Sequence, residues 1–115
     1  MSDENNKNEI EDPNALIAQF QMVQQQLQNL MIQKETLNMN KMEIERALEE
    51  LSKTKDEKAY KITGGIMISK PVSELKEELE NTKEAIEIRL KSFENPEKHL
   101  TNQMKKIQDK VKTLM

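Results

Sequence analysis

Leu16, Phe20, Val23, Leu27, Leu30, Lys34, Leu37, Lys41, Ile44, Leu48 and Leu51 follow one another at alternating steps of four and three residues. A mean step of 3.5 keeps an apolar stripe on one side of a supercoiled helix, so this stretch is expected to be one arm of a coiled coil. Only Lys34 and Lys41 break the apolar rule. A lysine at such a position either fixes register at a cost in stability or lays its stem along the seam and holds its ammonium in water; the second is expected here. Asp12-Pro13 is a good start for this helix. Aspartate accepts backbone hydrogen bonds as an N-cap, and proline at the first helical position loses only an N–H that would go unpaired anyway. Residues 1–12 are polar and acidic and read as a disordered tail.

A second arm follows Pro71. Val72, Leu79, Ile86, Phe93, Leu100, Ile107 and Leu114 recur every seven residues. The companion positions change side: Leu75 and Thr82 lie three residues after their anchors, whereas Leu90, Met104 and Val111 lie four after theirs. The change is assigned to Asn95-Pro96, because proline inside a helix removes a hydrogen bond and collides with the preceding turn. A kink or break is expected there, with Asn95 as N-cap and Pro96 as first residue of a renewed helix. The expected boundaries are 13–57 for the first helix, 59–69 for a β-hairpin and 71–115 for the second helix, all in one domain of residues 13–115. The two arms are each roughly 65 Å long at 1.5 Å per residue, so they match when folded together. Leu48 then faces Leu79, and Phe20 faces Ile107. The fold class read from this is mostly α: a long antiparallel two-helix coiled coil with one β-hairpin at the end opposite the termini.

The hairpin is AYKITGGIMISKP, Ala59 to Pro71, which holds both glycines and the only tyrosine. Tyr60, Ile62, Thr63, Ile66 and Ile68 are β-formers flanking Gly64-Gly65. A two-residue Gly-Gly turn would pair Ile62 with Met67 and spread the isoleucines over both faces. A three-residue turn over Thr63-Gly64-Gly65 would pair Ile62 with Ile66 and Tyr60 with Ile68, gathering one apolar face. Because a buried face is what fixes register, the three-residue turn is the expected one. A lone hairpin is barely stable in water, so this one is expected to complete its sheet with strands of other chains.

Composition narrows the function. With 34% charged and 3% aromatic residues there is too little bulk for an ordinary globular core, which suits long paired helices. A net charge of −3 makes no case for nucleic acid. No cysteine, one histidine (His99), no histidine pair for a metal and no glycine-rich phosphate loop leave no basis for an enzyme or a cofactor. The many glutamates, among them Glu77, Glu78 and Glu84, sit at salt-bridge spacing from lysines and read as a solvated face. The first residues lack the apolar core of a signal peptide, and neither arm has a basic polar face along its length, so a cytoplasmic protein without membrane attachment is expected.

Asn14 to Gln33 carries no charge at all. Ile17, Met22, Met31 and Ile32 lie off the seam there. They are either tolerated surface and extra packing or a weakly adhesive face with adaptable methionines. At the other terminus Ile107, Val111, Leu114 and Met115 interleave with Lys105, Lys106, Lys110 and Lys112. A free coil end frays and can offer its seam to another molecule, while a basic last turn also suits the helix dipole.

The glutamine-rich FQMVQQQLQNL arm, the LEELSKTKDEKAYKITGGIMI junction and the YK-x-x-G-x-x-x-I pattern within it resemble the prefoldin beta subunits, over nearly the whole chain from Leu16 to Leu114. One hairpin rather than two points to the beta type. Pro96 departs from the unbroken second helix of that family. The resemblance implies an ATP-independent chaperone: two alpha-type and four beta-type subunits pair their hairpins into intersubunit β-barrels, and the coils bind unfolded clients at their tips for a group II chaperonin. It implies assembly roles for Tyr60, Ile62, Gly64, Gly65, Ile66 and Ile68. It makes Ile10, Leu16, Ile17, Phe20, Ile107, Val111, Leu114 and Met115 the candidate client contacts. The rival reading is a structural coiled-coil adaptor for one specific folded partner.

Overall fold

The computed structural model describes residues 12–114. Helix α1 runs Pro13–Lys53, strand β1 Lys58–Thr63, strand β2 Ile66–Pro71, helix α2 Val72–Ser92 and helix α3 Glu94–Leu114. The fold is mostly helical, with one two-stranded antiparallel sheet. Asp12 caps α1 as expected: its Oδ1 accepts from the Asn14 amide at 3.0 Å, and its carbonyl accepts from the Leu16 amide at 3.1 Å. The expected end at residue 57 is four residues too late. The Thr54 hydroxyl accepts from the Asp56 amide at 3.2 Å, giving the backbone a local alternative to another helical turn.

The chain packs as two units, residues 34–91 and the described parts of 1–33 with 92–115. In the first, Lys41 meets Glu87 at 3.2 Å and Glu45 meets Lys83 at 3.5 Å, so α2 retreats by four residues as α1 advances by four. This is antiparallel pairing, and Leu75, in the first turn of α2, is buried near its hairpin end. In the second, Leu16, Val23 and Ile107 are buried. Ile17 and Phe20 share a groove with Gln108 and Val111, whereas Gln26, later in α1, shares one with Gln103 and Lys106. That pairing is antiparallel too.

The seam of α1 is the one read from the spacing. Every member from Leu16 to Leu51 is buried or half-buried, Lys34 and Lys41 included. Lys41 reaches the edge of the coil and there pairs with Glu87. The seam of the second arm differs. Thr82 is exposed and Lys83 is half-buried in its place, so the change of side falls between Leu79 and Lys83 instead of beside Pro96. Val72, Leu75, Leu79 and Lys83 step by three, four and four, a local loosening of the heptad. Threonine has little apolar surface to bury, whereas the stem of Lys83 covers the seam and its ammonium finds Glu45. The helix break is also displaced. Phe93 separates α2 from α3, Asn95 is helical and not a cap, and Pro96 is the third residue of α3. Proline acts on the carbonyl four residues back, so its missing N–H and its ring end α2 at Ser92. The new ladder begins with the Glu97 amide donating to the Phe93 carbonyl at 2.9 Å.

The hairpin register is the one that the apolar pattern disfavoured. Thr63 pairs with Ile66, Ile62 with Met67, Lys61 with Ile68 and Tyr60 with Ser69. Gly64 and Gly65 have φ of 57° and 81°, the two positive values of a type I′ turn, whose twist matches that of the strands it joins. The expected three-residue turn rested on gathering the apolar side chains on one face, but nothing within this chain covers either face: all but Ala59 and Lys70 of the strand residues are exposed. Turn geometry therefore decides. A Cβ on Gly65 would meet nothing within 4 Å, so Gly65→Ala costs only backbone strain. That strain is about 1 kcal/mol, and strand amides should exchange with solvent about fivefold faster, whereas Gly64→Asn should leave exchange unchanged.

Candidate functional site

Two surfaces stand out, one in each unit. The first is the hairpin. Alternation along the strands puts Tyr60, Ile62 and Met67 on one face and Ile66 and Ile68 on the other with Lys61 and Lys70. Ile62 is 73% exposed and Met67 64%. Tyr60, Ile66 and Ile68 are exposed as well. Five large apolar side chains on twelve strand residues is a heavy cost in water unless something covers them. The sheet has two strands, so each strand keeps an outer edge of backbone donors and acceptors. Met67, outside the residues that the sequence singled out, joins the exposed face of Tyr60 and Ile62 because the two-residue turn pairs it with Ile62.

The face that carries Lys61 and Lys70 is tied to α2. Lys61 Nζ lies 3.2 Å from Glu78 Oε1, and Lys70 Nζ pairs with Glu78 Oε2. One carboxylate thus holds both strands. The hydrogen bond from Lys70, then that from Lys61, keeps the Glu78 carboxyl below the usual carboxylate range, and Glu78 in turn raises Lys70. A lowered acid contributes stability above its unfolded pKa and loses it as pH falls through the folded one; a raised lysine loses its share only as pH rises past the alkaline folded value. The tie therefore persists through neutral pH. At the base of the hairpin the Val72 amide donates to the Glu57 carbonyl at 2.8 Å.

The second surface is in the other unit, where the beginning of α1 lies beside the end of α3. Ile17, Phe20, Gln108, Val111 and Lys112 line an apolar groove of about 440 Å³. A second groove is lined by Met22, Val23 and Ile107 together with Gln19, Gln26, Gln103, Lys106 and Lys110. The candidate client contacts separate into classes. Leu16 and Ile107 are buried in the seam at 6% and 8% exposure, so they hold the helices together and are covered. Ile17 is 50% exposed and Leu114 48%, and Phe20 and Val111 are half-buried at the groove. Ile10 and Met115 lie outside the described residues. Met22, Met31 and Ile32, the other off-seam residues of the uncharged stretch, are all exposed, as are Met39, Met42 and Ile88.

Among the described residues no group of three or more histidine, cysteine or acidic side chains could hold a metal ion. His99 is an exposed residue of α3. No helix among them is long and apolar enough to cross a membrane.

Comparison with known proteins gives concordant matches. The model of the family described as prefoldin subunit matches residues 14–115. A prefoldin subunit beta of Archaeoglobus fulgidus is 36% identical over 101 residues, covering 87% of this chain and 87% of that protein. One of Saccharolobus islandicus is 31% identical over 102 residues, covering 88% and 81%. One of Methanospirillum hungatei is 36% identical over 98 residues, covering 84% and 82%. The crystal structure of the prefoldin beta subunit from Thermococcus strain KS-1 superposes with a TM-score of 0.79 at 27% identity, covering 89% of this chain and 90% of that one.

Proposed function

The chain belongs to the prefoldin family, on its beta-subunit side, and from that premise we propose that it is a subunit of an ATP-independent holdase. Its hairpin joins those of other subunits in β-barrels, in a hexamer of two alpha-type and four beta-type chains. The coil ends bind unfolded proteins, prevent their aggregation and pass them to a group II chaperonin in the cytoplasm. The observation that carries this reading is the hairpin: an incomplete two-stranded sheet with apolar side chains exposed on both faces. Ile17, Phe20, Val111 and Leu114 form the client surface, with Ile10 and Met115 beside them in sequence, and Leu16 and Ile107 support it from beneath. Each contact is weak, and several coil ends acting on one client raise the avidity by roughly 10²-fold or more without new contacts. Methionine and glutamine side chains adapt to many sequences, which suits a binder that must not choose.

The native mass of the complex that co-purifies with a tagged chain tests the assembly. Four copies with two larger, two-hairpin subunits are expected. That complex should also suppress the light scattering of a chemically denatured protein diluted into buffer without nucleotide. A bare dimer, or a complex with one folded partner and undiminished scattering, would overturn the reading in favour of an adaptor.

A further inference from the structure

We propose that Glu78 is a positioning residue for subunit assembly, a single carboxylate that locks both strands of the hairpin to α2 and so sets the angle at which the apolar strand face is presented. The inference rests on the assembly reading above and adds a residue that lies on a helix, outside the hairpin. The connections to the hairpin are unequal. β2 ends at Pro71 and α2 begins at Val72, whereas four residues, 54–57, link α1 to β1. The longer link is held by the Asp56 amide on the Thr54 hydroxyl and by the Val72 amide on the Glu57 carbonyl, and Glu78 adds a side-chain tie to both strands. Glu78 lies nearly two turns into α2, and its two oxygens go to different strands, Oε1 to Lys61 and Oε2 to Lys70. Lys61 and Lys70 stand on the same face of the hairpin, two rungs apart in the ladder, Lys61 opposite Ile68 and Lys70 opposite Ala59. Rotation of the hairpin about β2 breaks the Lys61 arm, and sliding along α2 breaks both.

Among the described residues, these are the ion pairs that the strands make with a helix. Beside this tie lies a groove whose lining includes Leu51, Leu75 and Leu79 from the helices and Ala59, Tyr60 and Lys61 from β1. The Glu78 backbone is itself braced, since the Thr82 hydroxyl donates to its carbonyl at 3.0 Å. Exposed ion pairs add little to the stability of a fold, but a rigid orientation counts once for every subunit that must close a shared barrel. Ordering the hairpin in advance removes that cost from assembly.

The test uses the full chain with its alpha-type partner and reads assembly midpoint by native mass spectrometry or sedimentation, at low and high salt. Glu78→Gln keeps the shape and removes the charge. Its assembly midpoint should rise about three- to tenfold at low salt and lose most of its salt dependence, while helical circular dichroism is unchanged. The charge-reversed triple variant Glu78→Lys, Lys61→Glu, Lys70→Glu should recover the midpoint, which a merely structural role for the glutamate would not predict. A midpoint and salt slope equal to those of the unaltered chain would overturn the proposal, as would failure of the triple variant to recover while its helicity is intact. Because the chain has no cysteine, Thr63→Cys with Ser73→Cys allows a spin-label distance measurement in the isolated chain. Glu78→Gln should broaden that distribution. An unchanged width would sink the lock even if the unaltered chain never assembled, whereas failure of the unaltered chain to assemble would count against the assembly reading instead.

Discussion

Ile62→Lys is expected to abolish assembly with the alpha-type partner and to leave the helices intact. Ile62 is 73% exposed in the single chain, so the substitution costs the isolated fold almost nothing, about 0.5 kcal/mol or less. Inside a completed barrel the same position is covered, and an unpaired ammonium there costs several kcal/mol, roughly a thousandfold or more in the assembly constant. Sedimentation velocity with the alpha-type partner should show free chains, and far-ultraviolet circular dichroism should be unaltered. Ile66→Lys is expected to act in the same direction and less strongly. Ile66 shares its face with Lys61 and Lys70, where a charge already has a carboxylate nearby, whereas Ile62 shares its own with Tyr60 and Met67. Full-size complexes from both variants would show that the exposed strand residues stay uncovered.

The contrast between those two residues depends on register, and register is where the sequence misleads. Helical periodicity in α1 was legible residue by residue because its seam is buried within this chain: each of the eleven positions from Leu16 to Leu51 feels a local partner. The hairpin has no such partner. Its large apolar side chains are exposed in this chain, so the apolar pattern alone could not distinguish a two-residue from a three-residue turn. What decided was local: two consecutive glycines satisfy the two positive φ values of a type I′ turn. The same distinction explains the second arm. The heptad anchors from Val72 to Ile107 could be read directly, because leucine and isoleucine announce burial. The substitution of Lys83 for Thr82 in the seam could not, because it needs the position of Glu45 on the other helix. Proline announced a break but not its place, since its effect falls on the carbonyl four residues earlier.

At the coil end the sequence marked apolar residues without saying which were holding the coil and which were free to hold something else. Ile107 and Ile17 separate the two roles. Ile107 is 8% exposed between the helices, and Ile107→Ser removes most of a buried side chain and leaves a hydroxyl in its place. The expected cost is about 3 kcal/mol or more, enough to open that unit of the coil and lower its melting temperature. Ile17 and Leu114 are about half exposed, so Ile17→Ser with Leu114→Ser should cost the fold roughly 1 kcal/mol in total or less. The double variant nevertheless removes apolar surface from the four beta-type coil ends of the proposed hexamer. A loss of twofold to threefold at each end compounds when several ends grip one client, so suppression of aggregation should fall by about tenfold or more. Thermal melting beside light scattering distinguishes the cases. If the double variant melts normally and still holds clients as well as the unaltered complex, the exposed end is not the client surface. If Ile107→Ser melts early yet holds clients better, then the seam itself is what clients bind, and opening the coil is part of the holding step.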